Sequence, residues 1–228
     1  MTGKEFKLAR KKRGWSQCDL AARLQVSQTY VALLEHGHRR FPPRLSRKAV
    51  ALLGMSASAL PLAVRAASDD ELTRQLSALG YPGYSHLAPA RRRNPAEVLL
   101  TALAKDKLDA RVAEALPWLL LQHGTVSETS KRWLVEQARL RNLTNRLGFT
   151  VTLAKQVAER RGETTSDVYR SLVQFEQELF PHRLAGPDTF CQSDLSPRQR
   201  AWMETARPEA ARQWNLLTNW KVEDLQYA

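Results

Sequence analysis

Apolar residues recur every three or four positions along almost the whole chain, and no strand-length stretch alternates strictly between apolar and polar. This period predicts helices. Leu20 and Leu24 share one face, and Val31 and Leu34 share the next. Polar residues punctuate the pattern. Ser16 stands where an N-cap is needed, with Asp19 in the first turn, where the helix dipole favours negative charge. Gln25-Val26-Ser27 reads as a turn, and Ser27 caps the following helix. The predicted helices are residues 4–13, ended by Gly14; a second opening after Ser16; residues 28–36, stopped at Gly37; and residues 44–53. Their predicted core is Phe6, Ala9, Trp15, Leu20, Ala21, Leu24, Val26, Val31, Leu34, Ala49 and Leu52.

Residues 54–68 are rich in Ala and Ser, a short fifth helix followed by a linker. The stretch YPGYSHLAPARRRNP, residues 81–95, is the least regular and reads as a hinge. Beyond it the helical period returns: Val112, Leu116 and Leu119; Leu147, Val151, Ala154 and Val157; Val168, Leu172, Phe175 and Leu179. Pro117 is expected to kink or restart its helix. The fold expected is all-α: a compact unit over residues 1–65, a linker or hinge with a short helix over 66–95, and a helical bundle over 96–228.

Charge divides along the same boundary. Of a net +12, residues 1–65 carry 13 Lys/Arg against three acids, residues 66–110 balance six against six, and residues 111–228 carry 16 against 14. A basic module on a nearly neutral body predicts one polyanion-binding domain joined to a domain of another kind. No apolar run approaches the roughly 20 residues of a membrane span. The basic start also lacks the apolar segment of a secretory signal, so a cytoplasmic location is expected. Cys18 and Cys191, far apart, form neither a disulfide framework nor a metal pair, and the five His show no metal-ligand spacing. No cofactor is expected.

Arg10, Gly14-Trp15-Ser16-Gln17, Leu20-Ala21, Leu24, Val26-Ser27, Val31, Leu34-Glu35 and Gly37 together resemble the Cro/CI-type (XRE) helix-turn-helix domains of phage repressors and bacterial regulators. The resemblance implies a four- or five-helix lambda-repressor-like domain binding double-stranded DNA, with its third helix in the major groove. It places Gln28, Thr29 and Leu33 at base-reading positions. A Gln amide can pair bidentately with adenine, and Thr can bond a base or touch a thymine methyl. Leu33, a position often polar in that family, either meets a thymine methyl or does not read DNA. Gln17 matches a phosphate-contacting position at a helix N-terminus. Tyr30 either reaches a phosphate or lies on the body of the domain. Arg39, Arg40 and Arg44 are candidate backbone contacts. Arg10 and Glu35 match an ion pair that locks the third helix to the scaffold. The turn position often held by Gly is Gln25 here, which leaves the turn geometry and docking angle open.

For the remaining helices the plainest reading is homodimerisation, since two reading heads about 34 Å apart double the recognised site. Five of the six Trp lie beyond residue 110 and suit a core or an interface. Two binding alternatives stand beside it, a small-molecule sensor and an antitoxin or operon autoregulator that holds a toxin. For the latter, Lys131, Arg132, Arg139, Arg141 and Arg146 would face an acidic partner or simply solvent. A self-cleaving peptidase is disfavoured: Ala185-Gly186 resembles a cleavage dipeptide, but no Ser/Lys setting on strands accompanies it. No enzyme is expected. The reading is a DNA-binding regulator, most simply a repressor acting on an inverted repeat.

Overall fold

The computed structural model describes residues 1–88, 90–123, 128–190, 192 and 194–227; Cys191 lies outside them. The chain divides into two compact units, Met1–Ala63 and Val64–Ala228.

The first unit is built from α1 (Gly3–Lys12), α2 (Gln17–Leu24), α3 (Gln28–Glu35) and α4 (Pro43–Leu53). Local chemistry sets the boundaries. Thr2 with Glu5, and Ser16 with Asp19, form reciprocal capping boxes, and the Ser27 hydroxyl accepts from the Tyr30 amide. Pro43 sits at the first position of α4, where a missing N–H costs nothing. Phe6, Leu20, Leu24, Val31, Leu34, Ala49 and Leu53 form the core, with Ala9, Trp15, Val26 and Leu52 packed around it. Each large side chain so buried contributes about 1.5–3 kcal/mol. Gly3 marks a close approach, since a Cβ there would lie 2.4 Å from the Leu34 carbonyl oxygen.

The second unit contains α5 (Asp69–Leu79), α6 (Pro95–Leu103), α7 (Ala110–His123), α8 (Glu128–Leu140), α9 (Thr144–Arg160), α10 (Asp167–Leu179), α11 (Pro197–Ala206) and α12 (Glu209–Gln213). Two-residue strands β1 (Asp188–Thr189) and β2 (Leu216–Leu217) pair in parallel. The central element is α9, buried continuously from Thr144 to Ala154 and touching α6, α7, α8, α10 and α12. Two polar devices fix it. Arg146 reaches both carboxylate oxygens of Asp188, at 2.8 and 2.9 Å, and also donates to the carbonyls of Leu103 and Lys105, each at 3.0 Å. Trp214, fully buried, lies on Gly148 and donates its indole N–H to Thr152 Oγ1 at 2.7 Å.

Three expectations change. Residues 66–95 do not form a separate hinge. They carry α5 and bury Leu72, Leu76, Tyr81 and Tyr84 in the second unit, while Gln75 donates to the Arg91 carbonyl and accepts from the Arg93 amide. Of the kink or restart expected at Pro117, a restart does not occur, for α7 runs through it with the Pro buried. Lys131, Arg132, Arg139, Arg141 and Arg146 do not share a face. Lys131 is buried beside Glu128 and Arg146 is buried against Asp188, while the other three are exposed.

Candidate nucleic-acid interface

The interface is built outward from a buried ion pair. Arg10 on α1 is 7% exposed and Glu35 at the end of α3 is 4% exposed. Arg10 Nε and Nη2 donate to the two Glu35 carboxylate oxygens at 2.6 and 3.0 Å, and Nη1 donates to the Trp15 carbonyl at 2.6 Å. Burial pushes the Glu35 carboxyl upward. The hydrogen bonds from Arg10 and Gln17, helped by the charges of Arg10 and Lys7, outweigh it and hold the group below the usual range. α3 is thereby anchored to α1 at its far end.

The chain of bonds continues to the surface. Gln17 at the start of α2 donates Nε2 to Glu35 Oε2 at 2.9 Å, and Gln28 at the start of α3 donates Nε2 to Gln17 Oε1 at 2.7 Å. A carboxylate only accepts, so it fixes which way the Gln17 amide points, and Gln17 then fixes Gln28. Gln28 keeps a carbonyl oxygen and a second N–H for an outside group, the acceptor–donor pair that matches adenine N6 and N7. Gln28 and Thr29 are both exposed.

The other candidates lie around this point. Leu33, one turn further along α3, is half-buried. Tyr30 is half-buried, with its side chain packed against the core. Arg39 and Arg40, after α3, and Arg44, in the first turn of α4, are exposed. Gln25 takes up the left-handed conformation that the turn demands, at φ 62°. The Lys48 ammonium ties this turn to α4, donating to the Leu24 carbonyl and to Gln25 Oε1, both at 3.2 Å. Neither this contact nor the Arg23 guanidinium stacked 4.3 Å over the Trp15 ring has a sequence signal, because each joins residues without helical spacing.

A capped helix, a left-handed turn and a second helix presenting polar side chains from its first turn make this unit a helix-turn-helix. The Helix-turn-helix family model matches residues 6–60 of the chain. This module is of the Cro/CI (XRE) type, and it makes the protein a DNA-binding one of the kind that regulates transcription. No curated protein and no solved structure matches the chain. No helix among the described residues is long and apolar enough to cross a membrane.

Proposed function

We propose that the protein is a cytoplasmic transcriptional repressor that binds an inverted-repeat operator as a homodimer. Residues 1–63 read DNA and the helices of residues 64–228 join the two copies. Gln28 and Thr29 contact base edges, with Leu33 against a thymine methyl. Gln17, Arg39, Arg40 and Arg44 hold phosphates, and Tyr30 supports α3 from the protein side. The observation that carries this reading is the exposed, pre-oriented Gln28 amide at the tip of α3, braced through Gln17 on the Arg10–Glu35 pair. A side chain fixed before binding loses less entropy on docking than a free one.

Selection of bound sites from random DNA tests the proposal, followed by titration of the selected site at several salt concentrations. The expected product is a pair of inverted half-sites, bound with an affinity that falls steeply with salt because phosphate contacts release counterions. Gln28→Ala is expected to relax preference at one base pair per half-site, whereas Arg39→Ala weakens all sequences alike. Recovery of no enriched sequence overturns specific reading, and enrichment of a lone half-site overturns the dimer.

A further inference from the structure

The outward side of α8 carries a pattern that is complementary to itself. Lys131, Leu134 and Ala138 turn into the unit and are buried, which leaves Arg132, Val135, Glu136, Arg139 and Leu140 along one wall of a groove of about 630 Å3. Leu140, a large apolar side chain, is 70% exposed. Among the described residues, the side chains of Glu136 and Arg139 make no hydrogen bond or ion pair. An anionic ligand would meet Glu136 and, on the opposite wall, Glu178. The groove therefore suits a surface that offers both charges and an apolar strip.

A second copy of α8 offers this. With two such helices antiparallel about a two-fold axis passing between Gln137 and Ala138, Glu136 comes level with Arg139 of the second copy. Val135 and Leu140, about 140° apart around α8, flank that charged pair on opposite sides, each beside its own counterpart in the second copy, and the symmetry makes the charge contact twice. Glu136 and Arg139, three residues apart on one face of α8, are facing positions of a seam between two such helices, where charge pairs select partner and orientation. A parallel arrangement would set Glu136 against its own copy and Arg139 against its own, which repels. We infer that two copies of the chain join through this face of α8. The inference rests on the dimer reading above and gives that dimer its contact surface.

Sedimentation of the 228-residue chain, alone and as three variants, tests it. The wild type is expected at twice the 25.9 kDa chain mass. Glu136→Arg sets like charges against each other twice and is expected to weaken the dimer at least tenfold. Adding Arg139→Glu to Glu136→Arg exchanges the charges and is expected to restore association. Leu140→Lys, at an exposed position, breaks the apolar contact and provides an independent reading. A monomeric wild type overturns both this inference and the dimer. A dimeric wild type whose strength survives Glu136→Arg and Leu140→Lys overturns the α8 surface alone, and so does failure of the charge exchange to restore what Glu136→Arg removed.

Discussion

Gln28 at the tip of α3 donates to Gln17 Oε1 at 2.7 Å, so the first exposed side chain of α3 is held by the first side chain of α2. This contact makes a specific demand on mutants. On the base-reading role proposed for Gln28, Gln28→Ala is expected to cost about 1–3 kcal/mol of discrimination at one base pair. Gln17→Ala frees the Gln28 amide to rotate and is expected to lose part of the same discrimination. The two effects should then overlap, with the double variant losing less than the sum of the single ones. Binding of each variant to the selected site and to the site changed at one base pair measures this. Strict additivity would show that Gln28 reads without help from Gln17.

The Arg10–Glu35 pair gives a prediction in pH. Glu35 is held below its ordinary range in the folded protein. Its contribution to stability is therefore fully present above the unfolded-state value of about 4.3 and is lost as pH falls through the lower, folded-state value. Hydrogen-exchange protection of the Leu20, Val31 and Leu34 amides is expected to hold from pH 7 to about 5 and to decline below about 4.3. Glu35→Gln should flatten that decline, because it removes the titrating group. Arg10→Met leaves a buried carboxylate without its cation and is expected to cost about 3–5 kcal/mol at neutral pH.

Gln25 is held at φ 62°, where a side chain is disfavoured. Gln25→Gly relieves the left-handed strain of about 1–2 kcal/mol, offset by the greater freedom of Gly in the unfolded chain, about 0.5–1 kcal/mol. The exposed bond to Lys48 is worth little. A net gain of about 0.5–1 kcal/mol follows, to be read as slower amide exchange in α2 and α3. Unchanged or faster exchange would assign the turn's stability to the Lys48 contact.

How far the structure is legible in the chain depends on the distance over which its causes act. In the first unit the causes are local. Ser16, Ser27, Gly14 and Gly37 mark helix ends through bonds three or four residues long, and the spacing of Leu20, Leu24, Val31 and Leu34 marks the buried face. The buried residues missed there include Val50 and Leu53: after Ala49 the core face of α4 continues at a spacing of four, to Leu53, and not at the expected spacing of three, to Leu52. In the second unit the causes are distant. Pro, Gly and Arg over residues 81–95 mark turns correctly, but Tyr81 is buried against Trp118 and Tyr227, far along the chain. Arg146 reads as one more surface cation until Asp188 and the Leu103 carbonyl are brought to it. The exposed polar candidates of α3 were legible through the resemblance, whereas the Gln28–Gln17–Glu35 order of bonds needed coordinates.

Gly148 makes the sharpest steric prediction in the second unit. A Cβ built on it would fall 2.3 Å from Trp214 Cζ3 and 2.4 Å from two neighbouring ring atoms. Gly in the middle of a helix ordinarily costs about 0.5–1 kcal/mol relative to Ala, so Gly148→Ala would stabilise α9 if nothing lay against it. Here the indole cannot retreat without giving up its bond to Thr152 Oγ1, which is itself bonded to Glu176. Overpacking typically costs about 1–3 kcal/mol, which exceeds the gain in helix propensity. Gly148→Ala is therefore expected to lower the thermal midpoint of the second unit. Gly186→Ala, with no atom within 4 Å of its added Cβ, should leave that midpoint unchanged. Combining Gly148→Ala with Trp214→Leu should cost less than the two changes separately, because the smaller side chain makes room for the methyl group. If Gly148→Ala instead raised the midpoint, the Trp214 ring would have to lie elsewhere than against α9.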